Sequence, residues 1–153
     1  SEFPLVLSTV REVGHYSCRS MTGNCKALAA LADEPGFVQM NDKDAEALGI
    51  RDHELVWVQS HHSKVITRAQ VSPRTNQGAV YMTYQWWVGA CNELVGEVLS
   101  PITKTPEYKY VPVRVEKIED QTWAESYVVQ VYSELKQRLR KEKADGSVQK
   151  VPA

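Results

Sequence analysis

The sequence predicts a mainly β protein with short helices, closed into a barrel and followed by a C-terminal helix. Many short apolar runs are separated by turn residues, one short helix stands between strands, and a longer helical pattern comes near the end. A parallel α/β sheet would need regular alternation of strands and helices, which is absent. The length of 153 residues suits one compact domain.

The first part of the chain predicts a strand, a loop, a helix and a second strand. Residues 4–9 form an apolar run typical of a core strand, and the polar residues 11–17 indicate a loop. Residues 26–32 are rich in Ala and Leu and predict a short helix. Residues 37–40 predict a short strand.

Asn41 is placed to cap the next helix. Asp42 and Asp44 would then lie in the first turn, where carboxylates favour the helix dipole. Gly49 is placed to end the helix in a left-handed conformation.

A β-hairpin is predicted from residues 54–60 and 64–71, with His61 and His62 in its turn. Adjacent strand residues point to opposite faces, so we expect these histidines to be solvated and not to share a metal. Further strands are predicted at 79–84 and 111–118, after a turn cluster at 72–78.

The last element is a predicted helix. Thr122 and Glu125 have capping-box spacing, and one apolar face is marked by Val128, Val131, Leu135 and Leu139. We expect a barrel over residues 3–120, a helix of the same domain over 121–144, and a disordered tail over 145–153.

Composition excludes several classes of function. With 18 basic and 19 acidic residues the net charge is −1, so no global field would attract nucleic acid or an anionic membrane. No apolar run reaches the roughly 18 residues of a membrane helix, so we expect no membrane insertion. Three cysteines with wide spacing predict reduced thiols in a cytoplasmic protein. The chain opens without Met, directly in a strand, so we expect an excised fragment.

Motifs for phosphate-loop, dinucleotide-fold, serine-hydrolase or zinc-protease chemistry are absent. No carboxylate pair stands out for acid–base work, and no cysteine spacing fits a metal site. We therefore predict no catalytic residue and no metal ligand in this chain.

Three loops carry side chains suited to a polyanionic ligand, although a solvated loop would also fit each of them. In the first, Arg11 offers donors for phosphate, His15 and Ser17 add directed hydrogen bonds, and the Glu12 carboxylate matches the N–H edge of a guanine-like base. The third loop, residues 103–109, contains two lysines.

The second loop runs from Tyr84 to Asn92. Trp86 and Trp87 could stack on a flat ring, but closure of the core is the better interpretation. Gln85 and Asn92 need hydrogen-bond partners if buried, which makes them better candidates for binding a ligand.

Five blocks of this chain, in order, resemble the C-terminal domain of molybdopterin oxidoreductases, and of formate dehydrogenases in particular. Together they cover most of residues 3–140. The blocks are residues 7–17 (LSTVREVGHYS), 44–50 with 54–58, 78–82 with 84–87, 92–94 (NEL) and 105–109 (TPEYK).

The resemblance implies a double-psi β-barrel that binds the guanine-dinucleotide form of molybdopterin. In the full enzyme two copies would hold one molybdenum or tungsten. Carried over position by position, the cofactor-binding residues would be Arg11, Glu12, His15, Ser17, Tyr84, Asn92, Tyr108 and Lys109.

The family's metal ligand, active-site histidine and arginine, and iron–sulfur cysteines have no match here. The resemblance therefore implies that the chain alone catalyses nothing and works with the remaining domains of its polypeptide, and with electron-transfer iron–sulfur subunits. The chain departs from the family's pattern at His53, where the family often has Gly, and at residues 61–63, where the family has a turn with Gly.

The alternatives are the corresponding domain of a nitrate or sulfoxide reductase, or a protein-binding module on the same barrel. A barrel-type decarboxylase would need a Gly-Ser pair at a strand boundary. The chain has Gly146-Ser147 only in the expected tail.

Overall fold

The computed structural model describes residues 2–31 and 35–144. The predicted tail and Ala32, the last residue of the first predicted helix, lie outside the described residues. Two short 3-10 turns, Thr22–Asn24 and Cys91–Leu94, accompany the regular elements. These are β1 (Leu5–Val10), α1 (Lys26–Leu31), β2 (Phe37–Met40), α2 (Asp42–Ala47), β3 (Leu55–Gln59), β4 (Lys64–Val71), β5 (Ala79–Thr83), β6 (Val111–Lys117) and α3 (Gln121–Ala144).

The six strands close into a barrel in the order β1-β5-β2-β4-β3-β6. Two pairs are parallel, β1 with β5 and β2 with β4, and the other pairings are antiparallel. This interleaving of two parallel pairs in a closed six-stranded sheet is the double-psi β-barrel, as predicted. Closure leaves no exposed strand edge.

The barrel interior is filled by alternate residues of the strands. Leu7, Val38, Met40, Val80 and Met82 are wholly buried. β1 alternates buried and half-buried positions along its whole length. The alternation that predicted the strands is therefore the pattern that fills the core.

The short helix α2 begins and ends as predicted. The Asn41 side chain accepts a hydrogen bond from the Lys43 backbone N–H, and Gly49 has a φ of +65° just after the helix. Asp44 also accepts from the Gly78 N–H at 2.7 Å, which ties α2 to the start of β5.

His53 occupies a backbone conformation that favours glycine. Its φ is +67°, and its N–H donates to Ala69 at 2.9 Å. A left-handed backbone costs a non-glycine residue about 1–2 kcal/mol.

The hairpin turn is exposed at both His61 and His62, as predicted. The His61 ring lies 4.2 Å from the ring of Phe3.

The start of α3 corrects the predicted capping box. Asp120, and not Thr122, accepts the hydrogen bond from the Trp123 N–H at 2.8 Å. Thr122 is already inside the helix, because α3 begins at Gln121. Glu125 instead pairs with Arg68 of β4 at 2.8 Å.

The first half of α3 packs on the outside of the barrel. Ala124 and Val128 join a second apolar cluster with Leu55, Ile66 and Ile118. The predicted apolar face does not extend to Leu139, which is exposed because the helix runs beyond the barrel wall. None of the described helices is long and apolar enough to cross a membrane.

Candidate functional site

A cavity of about 690 Å³ lies where β1 ends and two later loops approach it. Five of the eight predicted cofactor-binding residues line it: Arg11, Tyr84, Asn92, Tyr108 and Lys109. Thr9 and Val10, the last residues of β1, complete the lining. The structure thus brings together side chains that are up to 100 residues apart in sequence.

Arg11 and Tyr84 form one side of the cavity. The Arg11 Nε–H donates to the Tyr84 hydroxyl at 2.8 Å. This bond directs the guanidinium and leaves its terminal N–H groups for a ligand. β1 and β5 are parallel neighbours, with Val10 opposite Thr83, so the residues that follow each strand meet.

Lys109 brings the opposite loop to the end of β1. Its Nζ donates to the Thr9 carbonyl and lies 3.4 Å from the Thr9 hydroxyl. The Thr9 N–H in turn donates to the Tyr108 carbonyl at 3.1 Å. The loop that carries Tyr108 and Lys109 is therefore attached to β1 by both backbone and side-chain bonds.

Cys91 is buried and precedes Asn92 of the cavity wall. Burial raises the pKa of its thiol to about 12, and a backbone hydrogen bond and the positive charge of Lys109 only partly oppose this. Cys91 is therefore a protonated core residue at neutral pH. Cys18 and Cys25 are free and exposed.

Glu12, His15 and Ser17, although predicted with Arg11, do not line this cavity. His15 is buried, with Nδ1 3.0 Å from the Thr22 hydroxyl and its ring edge-on to Trp86. Burial raises the pKa of the Glu12 carboxyl, while His15, the Trp86 N–H and Arg19 oppose the rise. The His15 side chain thus faces the protein interior, while other side chains of this part of the loop are exposed.

The loop after β1 contains strained backbone. Ser17 and Arg19 have φ values of +47° and +62°. Each such residue costs about 1–3 kcal/mol and persists only where surrounding contacts enforce it. Here the Arg19 guanidinium stacks 4.0 Å above Trp86, and its Nε donates to the Gln85 carbonyl at 2.6 Å.

Trp86 is 3% exposed, which confirms core closure for this residue, whereas Trp87 is 55% exposed and does not close the core. The side chains of these two neighbouring residues point in different directions, so one is buried and the other is exposed. Gln85 is buried, but its partners are protein groups, so it is not a ligand-binding residue of the cavity. Asn92 is exposed in the cavity wall.

Sequence reasoning missed Thr9, Val10 and Arg19. Thr9 and Val10 could have been predicted, because they end the strand that leads into a predicted binding loop. Nothing local pointed to Arg19, because its partners lie 66 and 67 residues further along the chain. Among the described residues no group of three His, Cys, Asp or Glu side chains could hold a metal ion.

The comparisons with known proteins decide the family. The model of the molydopterin dinucleotide binding domain matches residues 5–112, most of the chain. The chain belongs to this family. The match covers β1 to β5 and the first two residues of β6, and it includes every residue that lines the cavity.

Relatives of this molybdopterin dinucleotide-binding domain include whole enzymes. Formate dehydrogenase H of Escherichia coli (strain K12) is 73% identical over 139 residues, which are 91% of this chain and 19% of the relative. The assimilatory nitrate reductase catalytic subunit of Bacillus subtilis (strain 168) is 30% identical over 116 residues, 75% of this chain and 16% of the relative. The chain is thus a formate dehydrogenase homologue that spans less than a fifth of these relatives.

A solved structure supports the fold. Acetylene hydratase from Pelobacter acetylenicus superposes with a TM-score of 0.67 at 17% identity, over 76% of this chain and 19% of that one. The same barrel is therefore present within a larger chain.

Proposed function

We propose that this domain binds the guanine-dinucleotide part of molybdopterin in the cavity at the end of β1, as the C-terminal domain of a formate dehydrogenase. One observation carries the proposal. Two cations and three further polar side chains from three separate loops converge on a single cavity in a member of this domain family.

The cavity residues fit the chemistry of a dinucleotide. Arg11 and Lys109 would offset the two charges of a pyrophosphate, and an arginine fork suits phosphate oxygens. The Asn92 amide has the donor and acceptor needed to read the edge of a base. Tyr84 and Tyr108 would pack on the ligand or donate from their hydroxyls.

Glu12, His15 and Ser17 remain part of the proposed binding loop. They follow Arg11 on the same loop, so a dinucleotide bound at Arg11 would extend towards them. The Glu12 carboxylate would then accept from the N–H edge of guanine.

For the whole protein we propose formate oxidation. When bound in its bis form, with molybdenum or tungsten, the cofactor would supply the redox chemistry by which formate is oxidised to carbon dioxide, a proton and two electrons. An iron–sulfur cluster in other domains would receive the electrons. This chain's residues would bind and orient the dinucleotide, and the remaining domains and electron-transfer subunits would be its partners. The proposal includes a cytoplasmic location, supported by its three free thiols.

The binding site is tested by titrating the isotopically labelled chain with GDP and recording proton–nitrogen NMR spectra. We expect shifts confined to residues 11–17, 84–92 and 108–109. Arg11→Ala should weaken binding about tenfold or more, the loss of charge-assisted hydrogen bonds. The matched control is Arg140→Ala, which removes the same charge from the exposed part of α3. No shifts at millimolar GDP in a folded sample, or equal weakening by both variants, would contradict the site.

The activity proposal needs the full-length protein. Purified enzyme should reduce an artificial electron acceptor with formate and should not reduce nitrate with an artificial donor. The reverse result would favour the nitrate-reductase alternative, to which the Bacillus subtilis relative belongs.

A further inference from the structure

The binding loop, residues 11–24, is attached to the barrel by a distant segment. Between β1 and α1 it contains only the short 3-10 turn Thr22–Asn24. The strained Arg19 has two backbone hydrogen bonds within the loop, from its N–H to the Tyr16 carbonyl at 2.9 Å and from the Gly23 N–H to its own carbonyl at 2.8 Å. Contacts from residues 83–86, at the end of β5, fix the loop relative to the strands.

Gln85 supplies most of these contacts. Its side-chain Oε1 accepts from the Glu12 N–H at 2.5 Å and from the Thr83 hydroxyl at 3.0 Å. Its Nε2 donates to the His15 carbonyl at 2.8 Å, and its own carbonyl accepts from Arg19. With 3% of its surface exposed, Gln85 uses its amide entirely inside the protein.

The same segment sets the direction of Arg11. Glu12 follows Arg11 and binds Gln85, while Arg11 itself binds Tyr84, the residue before Gln85. Two neighbouring residues of the loop are thus joined to two neighbouring residues after β5. Displacing Glu12 from Gln85 would move the backbone of Arg11 and with it the guanidinium in the cavity wall.

We propose that Gln85 is a positioning residue, which holds the loop so that Arg11 faces the anionic part of the ligand. The effect on ligand binding rests on the proposed function, whereas the effect on the loop does not. The position requires an acceptor for the Glu12 N–H and a donor for the His15 carbonyl on one planar group. An amide side chain has both.

Gln85→Glu separates the two halves of this role. A glutamate has nearly the same shape and still accepts from Glu12, but its ionised form cannot donate to His15. The protonated form can, so lowering the pH should restore the bond. Burial favours the protonated form, and a comparison of about pH 5 with about pH 8.5 spans the transition. Gln39→Glu is the control, since Gln39 is half-buried and binds only Gln70 among the described residues.

The first readout needs no ligand. At the higher pH, amide signals of residues 12–19 and the side-chain Nε–H signal of Arg11 should shift in Gln85→Glu, while amides of the barrel strands stay in place. At the lower pH these signals should return towards the wild type. If the variant fails to fold, Thr83→Val is the second variant. It removes the hydrogen bonds of the Thr83 hydroxyl to the Gln85 Oε1 and backbone N–H, and it should shift the same signals by less.

The second readout is the initial slope of the shifts against GDP concentration. In Gln85→Glu at the higher pH it should fall about tenfold, the loss expected when a directed hydrogen bond is broken, and in Gln39→Glu it should not change. Loop signals unchanged at both pH values overturn the proposal, as does a displaced loop with an unchanged GDP slope. If the wild type itself does not respond to GDP, the binding proposal fails, and the loop signals alone decide the role of Gln85.

Discussion

The Gln121 side chain joins α3 to the barrel, and a single substitution can test how much this contact contributes to the free energy of unfolding. Its Oε1 accepts from the Leu55 N–H at 2.8 Å, and its Nε2 donates to the Leu55 carbonyl at 2.9 Å and to the Ile118 carbonyl at 2.7 Å. The last residue pair between β3 and β6 at this end is Val56 with Lys117. The Gln121 side-chain amide binds the backbone of Leu55, the next residue of β3, and so replaces the strand partner that β6 no longer provides. Gln121→Leu removes all three bonds and keeps a side chain of similar size.

The expected loss follows from those three bonds. Each contributes about 1 kcal/mol net, and a buried backbone group left without a partner costs about 1–3 kcal/mol. Water can reach part of this site, because Gln121 is half-buried. We therefore expect the free energy of unfolding to fall by about 3 kcal/mol and the Tm by about 6–12 °C.

Urea unfolding followed by circular dichroism measures the change, with a thermal scan as a second measure. The control is Gln130→Leu on the exposed face of the same helix, where the amide binds only Glu134 at 2.8 Å. That variant should stay within about 0.5 kcal/mol of the wild type. A loss below about 1 kcal/mol for Gln121→Leu, or one equal to that of Gln130→Leu, would refute the reasoning.

Two further predictions concern the binding loop and the turn that precedes β3. The pKa of Glu12 is raised by burial in the folded state, so its ionisation opposes folding above that pKa and has no effect below the pKa of the unfolded chain. Glu12→Gln should thus increase the free energy of unfolding at pH 7, and this gain should disappear as the pH falls towards 4. Urea titrations at both pH values measure the two free energies. Equal gains at both would contradict the electrostatic cause. His53→Gly should stabilise by about 0.5 kcal/mol, because relief of the left-handed backbone exceeds the entropy that glycine adds to the unfolded chain. His53→Ala, which keeps the strain, serves as its control and should not stabilise.

Much of the fold was predictable because its determinants are local. The alternation of apolar residues determined the strands and their inward faces. The Asn41 cap and Gly49 at +65° act within one turn of α2, so the sequence contains all the information they need. The blocks around Arg11, Tyr84 and Lys109 predicted residues that do converge on one cavity.

Other features depended on which distant groups the barrel brings together. Closure of the sheet places the end of β1 beside the end of β5, so that Arg11 meets Tyr84 and Gln85 turns its amide towards the loop. Asp120 and Thr122 are both residue types that cap helices, and the choice between them depended on where α3 begins. By itself the sequence determined the barrel, the two ends of α2 and the family to which the chain belongs. Only the tertiary structure decided which polar side chains face the cavity and which are buried as supports, because a hydrogen bond between residues 70 positions apart exists only after the strands between them have paired.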